Sequence, residues 1–461
     1  MALKLDLTGL LAPPGSGGAP CRETFAAALP RGAEVRDAHL AAPPAWRRLP
    51  EEGRHLAACR ARAEEVLAER PELVVVLGIG GSALGASALF AALGPVHPEW
   101  SGDGPPRVIV LDSIDPDWVG EVFERIPADR CHFNVISKSG GTIETSAQFL
   151  VAWDAVRAAC GDDAAARRRF TITTDPAGGH FRRLADELGF ATLEVPPGVG
   201  GRFSVLSPVG LFPAVLGGLD AEGLLAGAAR TFARTAAAAP EEDPALAWAL
   251  AHVLHMEAGR PIHVHFPYGH RLRLLADWFL QLWAESLGKR LDLAGEEVQV
   301  GPTPVKAVGP TDQHSQCQLY AEGPDDKVYT FVRLERHGRE LPLPEPFADS
   351  PAFAHLRRRS LNELIQAERE GTEAALLAAG RPLCTLTLCK LDAFHVGQYF
   401  AFFEEATALA GGLLGIDPYD QPGVEAGKLA ALALMGCPGH EERAERIRAE
   451  RAAREPFVLE C

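Results

Sequence analysis

The chain has 461 residues, 47% of them hydrophobic, enough to bury large cores and to form two domains. A formal net charge of −16 and a pI near 5.4 argue against nucleic acid or an anionic membrane as the main partner. No apolar run reaches membrane-spanning length, no continuous signal-peptide core is evident, and the nine scattered cysteines lack a C-x-x-C pair. That usage fits a reduced, cytosolic protein without a disulfide frame or a thiolate zinc site.

Residues 11–20 read as a loop, and helical periodicity covers about 51–69, ending before Pro71. Strands and helices then alternate: strand 73–77, helix 82–93, strand 107–112, helix 116–126, strand 132–136, helix 142–160, strand 169–174 and helix 179–188. This alternation predicts a parallel sheet covered by helices on both faces. Helical runs dominate 205–258, with AAAAPEEDP (236–244) as a junction. A second α/β set follows: strand 261–266, helix 270–288, strands 328–335 and 383–389, and helices 393–414 and 422–435. A charged helix closes the chain from Glu441 to Arg454. The expected division is an N-terminal segment 1–60, α/β domains 61–220 and 221–440, and a tail 441–461.

Two loops carry most of the chemistry. The unbroken apolar run Leu73–Leu77 is the mark of a strand buried on both faces, and it opens at Gly78 into Gly80, Gly81 and Ser82 before a helix. Glycines there allow a sharp turn and close approach of a ligand to the main chain, and a helix N-terminus attracts an anion. Gly78, Gly80 and Ala83, with Asp112 at the end of a later strand, also fit a loose dinucleotide fingerprint, although Asp112 lies farther along than that pattern usually has it. The strand near 132–136 ends in Ser137-Lys138-Ser139-Gly140-Gly141-Thr142. In a parallel sheet both loops lie beyond the carboxyl ends of their strands, so Ser82, Ser137, Lys138, Ser139 and Thr142 can converge on one phosphate. Turn and N-cap duties are the plainer explanation for the same hydroxyls.

GIGGSALG and SKSGGTIET resemble the two phosphate loops of sugar isomerase domains. VGGRFSVLSPVG (199–210), FLQLWAESLGK (279–289), TDQHSQCQL (311–319) and YDQPGVEAGK (419–428) resemble motifs of the glucose-6-phosphate isomerase family, in matching order. The resemblance runs from about residue 70 to 435. It implies two three-layer α/β/α sandwiches of the sugar isomerase type with mainly parallel sheets, in a homodimer whose histidine reaches the site across the subunit interface. It implies phosphate contacts in the stretch Gly81, Ser82, Ser137, Lys138, Ser139 and Thr142, a base at Glu285, and an arginine beside the reacting carbons at Arg202. Ring opening would fall to His314 and Lys428, and sugar contacts to Gly201, Gln281 and Gln421. The implied reaction interconverts glucose 6-phosphate and fructose 6-phosphate without metal or organic cofactor. Gly141 departs from the pattern, since many relatives carry threonine there.

The residue chemistry is consistent with those roles. Moving a proton between C2 and C1 of a sugar through an enediolate needs one base that takes and returns it. Gln281 lies four residues before Glu285 and shares its helical face, while Leu282, Trp283 and Leu287 supply apolar neighbours. Arg202 follows two glycines, and a guanidinium stabilises enediolate charge without acting as an acid. His314 can both give and take a proton near neutral pH, and Lys428 can donate a hydrogen bond to a ring oxygen. Each of these side chains has a plain alternative as a surface salt-bridge or solvated residue.

Three other readings stay open at this level. His263 and His265 fall on one face of a strand with the spacing of a metal-binding H-x-H pair, although half-buried structural histidines explain them as well. A non-catalytic phosphosugar-binding protein would keep the phosphate loops without needing Glu285, Arg202, His314 and Lys428 together. An isomerase that also accepts mannose 6-phosphate shares every motif.

Overall fold

The computed structural model describes residues 3–12, 20–97, 104–347 and 350–460. Most of the loop expected at 11–20 lies outside them. By its internal contacts the chain divides into a large unit, Met1–Pro418, and a small one, Tyr419–Cys461. The small unit holds the helices Pro422–Leu434 and Glu441–Ala452.

The large unit contains twelve strands among the described residues. They are β1 (Lys4–Asp6), β2 (Leu73–Leu77), β3 (Arg107–Leu111), β4 (Cys131–Ser137), β5 (Phe170–Thr174), β6 (Ala191–Glu194), β7 (Ile262–Pro267), β8 (Lys289–Leu291), β9 (Glu297–Val300), β10 (Thr303–Lys306), β11 (Lys327–Arg336) and β12 (Leu383–Lys390). One sheet has the order β3-β2-β4-β5-β6 and is parallel throughout. The other has the order β1-β12-β11-β7-β10, parallel except for β1, and β8 and β9 form a separate hairpin.

Every residue of β2 and β4 is buried, because helices cover both faces of the first sheet. One face packs Leu73, Val75 and Leu77 with Phe133, Phe149 and Phe170, while Val74 joins the larger core that runs under the second sheet. In that larger core the helices Ala221–Ala237 and Ala393–Leu413 touch backbone to backbone. A Cβ on Gly227 would lie 1.8 Å from the Phe394 carbonyl oxygen, and one on Gly397 would lie 1.9 Å from that of Leu224. Only glycine permits so close a crossing.

Elements with strong periodicity fall where the sequence puts them, with ends moved by one to three residues in most cases. The helix after β2 begins at Leu84, because Gly80–Ser82 form a 3-10 turn first. The strands β1, β6, β8, β9 and β10 and the helices Arg22–Ala41 and Leu361–Ala378 were not expected. β10 contains Pro304, which cannot donate to a ladder, and it survives because it is an edge strand paired only with β7. Helix Arg22–Ala41 is masked by Pro30 in its interior.

Candidate active site at the carboxyl end of the first sheet

In the first sheet β2 leads on to β3 at one side, whereas its other neighbour, β4, leads away to β5. The loops leaving β2 and β4 therefore diverge, and the crevice between them is the switch point where open α/β sheets take ligands. Ser137 is buried at the end of β4 and its Oγ donates to Thr142 Oγ1 at 3.3 Å. Ser139 Oγ accepts from the Gly141 N–H at 3.2 Å. Thr142 is the N-cap of the helix Ile143–Cys160, yet its side chain makes no capping bond, so capping does not account for its hydroxyl. Ser82 is half-buried, and its hydroxyl has no hydrogen bond among the described residues. Lys138 Nζ donates to the Val199 carbonyl at 2.9 Å, which ties this loop to the segment that carries Arg202.

The glycines of the β2 loop admit parts of the protein's own chain at close range. A Cβ on Gly81 would lie 2.3 Å from the carbonyl carbon of Gly201, and one on Gly80 would lie 2.9 Å from Gln281 Nε2. Gly80 also has φ +56°, in the left-handed region that favours glycine. These contacts draw in the 3-10 turn Gly201–Phe203 and the last turns of the helix Arg273–Leu287. By contrast, Gly141 has room, since an added Cβ would meet nothing nearer than Ser139 Oγ at 3.8 Å. A threonine would fit there.

Gln281 Nε2 donates to Glu285 Oε2 at 3.0 Å, and Arg202 Nε lies 3.5 Å from the same oxygen. Arg202 Nη1 donates to Ser286 Oγ at 2.7 Å and reaches the Pro418 carbonyl at 3.3 Å. The guanidinium is buried, with 3% of its side chain exposed, whereas Glu285 keeps 25%. A fixed cation thus faces a carboxylate that solvent or substrate can still reach. Leu282, Trp283 and Leu287, the apolar neighbours of Glu285, turn into the core. Lys289 was quoted within a motif without a role. Its Nζ donates to the carbonyls of Glu285 at 3.1 Å and Ser286 at 2.9 Å, and a cation at a helix C-terminus holds the turn that carries Glu285. Ser286, adjacent to the expected base, was likewise missed.

Gly81, Ser82, Gly201, Arg202, Gln281 and Glu285 are thus brought together, with the Ser137–Thr142 loop joined to them through β2, β4 and Lys138. His314 ends the 3-10 turn Thr311–His314, is exposed, and has no side-chain hydrogen bond among the described residues. That turn is anchored through Asp312 to the Val308 N–H at 2.7 Å and through Gln313 to Tyr268 and Glu368. Gln421 and Lys428 belong to the small unit. Lys428 lies on the helix Pro422–Leu434, with Nζ 2.8 Å from Glu425 Oε1.

His263 and His265 are fully buried rather than half-buried, at 3% and 1% exposure. His263 Nδ1 accepts from Trp283 Nε1 at 2.8 Å, and His265 Nε2 pairs with the Tyr399 hydroxyl at 2.8 Å. Burial pushes both imidazoles down to about 3, so they are neutral packing residues beneath the site helix. Among the described residues no three His, Cys, Asp or Glu side chains gather as a metal cluster.

Two doubly wound sheets, the first with a glycine- and hydroxyl-lined crevice holding an Arg–Glu pair, define an α/β protein built to bind a small anionic ligand. The phosphoglucose isomerase family model matches residues 68–446, and the chain belongs to that family. A glucose-6-phosphate isomerase of Carboxydothermus hydrogenoformans is 44% identical over 420 residues, covering 89% of this chain and 88% of that protein. One of Rubrobacter xylanophilus is 44% identical over 86% of this chain and 90% of its own length. Among solved structures, a hypothetical protein of Thermus thermophilus superposes with TM-score 0.84 at 36% identity, covering 94% of this chain and all of that one. A glucose-6-phosphate isomerase of Chlamydia trachomatis gives TM-score 0.72 at 25% identity, over 86% of this chain and 76% of its own.

Proposed function

We propose that the chain interconverts glucose 6-phosphate and fructose 6-phosphate by proton transfer, in the cytosol and as a homodimer. The observation that carries this reading is the single Glu285 oxygen shared by Arg202 and Gln281, beside two loops suited to a phosphate. The hydroxyls of Ser82, Ser137, Ser139 and Thr142, with backbone N–H groups of the Gly81 and Lys138 stretches, hold the phosphate and fix the sugar's register. His314 and Lys428 move the proton between the ring oxygen and the anomeric hydroxyl, opening the hemiacetal. His314 does so from a partner subunit, which accords with its exposed, unpartnered imidazole.

In the open-chain aldose, Glu285 takes the C2 proton as the C1 carbonyl gains charge. Arg202 stabilises the resulting enediolate, for which a buried guanidinium that cannot readily lose its proton is suited. Glu285 returns the proton to C1, the O2 hydroxyl proton passes to O1, and the ketose forms. Gln281 and Gln421 hold sugar hydroxyls, and Gln281 also orients the base. Formation of glucose 6-phosphate from fructose 6-phosphate, measured after chelator treatment, tests the assignment. Turnover in the intact protein supports it. Phosphosugar binding without turnover would favour a binding protein, and activity lost with chelator would contradict metal-free proton transfer.

A further inference from the structure

The two large sheets share one topology. The order β10-β7-β11-β12 in the second repeats β3-β2-β4-β5 in the first, with the same sequence of crossovers. The second sheet therefore has its own switch point, where the loop after β7 leads to β10 and the loop after β11 leads to β12. A cavity of about 900 Å³ lies there, lined by residues of both loops, by the end of the helix Leu84–Leu93 and by the start of the helix Leu361–Ala378.

Its chemistry is that of an anion site without an anion-neutralising partner. Arg271 and Arg339 both line it, with His337 and His97, and among the described residues no carboxylate does. Arg271 Nε and Nη2 hold the carbonyls of Ala91 and Gly94 at the end of the helix Leu84–Leu93, while Nη1 has no hydrogen bond among the described residues. Burial and the nearby Arg339 charge hold the Arg271 guanidinium below its usual range. Arg339 is exposed and its side chain makes no hydrogen bond among the described residues. His337 Nε2 is buried with no hydrogen-bond partner among the described residues. In a chain of net charge −16, two guanidiniums facing one cavity with no acid between them among the described residues are an unbalanced arrangement. Leu361 and Ile365, at the start of the helix Leu361–Ala378, give the cavity an apolar wall. Arg271 and Glu285 are separated by 14 residues of largely helical chain, roughly 20 Å at 1.5 Å per residue, so this is not the site already described.

We propose that the crevice between β7 and β11 is a second ligand site, taking a phosphomonoester whose ring or apolar body lies against Leu361 and Ile365. The Arg339 guanidinium and Arg271 Nη1 hold the phosphate between them. Calorimetric titration of the full chain with phenyl phosphate, and separately with inorganic phosphate, tests it. The intact protein is expected to bind phenyl phosphate at two sites per chain. Arg339→Ala, which breaks no side-chain hydrogen bond of the fold, should weaken one of them at least tenfold while turnover stays within twofold. Thr142→Asp should remove the other and leave the Arg339-dependent site intact. Inorganic phosphate should bind the Arg339-dependent site about tenfold more weakly than phenyl phosphate. A single site unmoved by Arg339→Ala, or two sites both unmoved by it, would overturn the proposal. Equal binding of the two probes at that site would overturn the ring-bearing ligand.

Discussion

The two switch-point crevices are built on one topology with opposite chemistry. In the first, glycines and hydroxyls leave space, and the protein's own chain enters it: Gly80 admits Gln281 and Gly81 admits Gly201. In the second, side-chain cations line the opening and no glycine contact draws a catalytic residue in. One stretch of chain serves both, since Arg271 precedes the helix Arg273–Leu287 and Glu285 lies in its last turn. Topology thus supplies two places for a ligand. The loop residues decide which of them can hold a base against a reacting carbon.

Substitutions at equivalent depth should separate the two crevices. Glu285→Gln keeps the shape of the side chain and removes the base, so turnover should fall by about 10²–10⁴-fold while the unfolding temperature barely moves. Arg339→Ala in the second crevice should leave turnover within twofold. A large loss from Arg339→Ala would erase the distinction. Next in size is Gly81→Ala. Its methyl would sit 2.3 Å from Gly201, so the two backbones must part, at a cost of roughly 1–3 kcal/mol. Denaturant titration should record that loss together with reduced turnover, whereas Gly141→Ala, in open space, should do neither.

Buried neutral histidines lie under both sheets, His132 in the first and a group of them, with His252, under the second. Burial lowers His263 and His265 to about 3 and His255 to about 4, from an ordinary 6.5. The unfolded chain takes up protons below 6.5 that the folded chain refuses, so stability is full above that pH and falls as pH drops toward 4. At pH 5.5 each of the three costs roughly 1.4 kcal/mol. Urea midpoints at pH 7.5 and 5.5 should show this, and a flat profile would contradict the neutral assignment. The smallest expected effect is on stability in Lys428→Ala. An exposed lysine paired with Glu425 contributes at most about 0.5 kcal/mol, so any tenfold loss of turnover in that variant comes from chemistry.

Much of the first crevice was legible because buried parallel strands write themselves as apolar runs, and their loops announce glycine and hydroxyls at once. The run Leu73–Leu77 and the loop Ser137–Thr142 are the clearest cases. The packing of Gly81 on Gly201 was not legible, since 120 residues separate them and nothing local records the contact. The same holds for the Arg202–Ser286 bond, and for Lys289, whose capping role depends on where its helix stops. Short edge elements such as β1 and β10 carry too few residues for periodicity to show. The second crevice was invisible for a related reason: Arg271, Arg339 and His337 sit in unremarkable loops and meet only through the order of β7 and β11.

The central claim, that Glu285 carries a proton between adjacent sugar carbons, is tested most directly by isomerising fructose 6-phosphate in deuterium oxide. Magnetic resonance of the glucose 6-phosphate formed should reveal deuterium at C2 with the intact protein, and Glu285→Gln should form almost no product. Unchanged label and rate in Glu285→Gln would contradict the account.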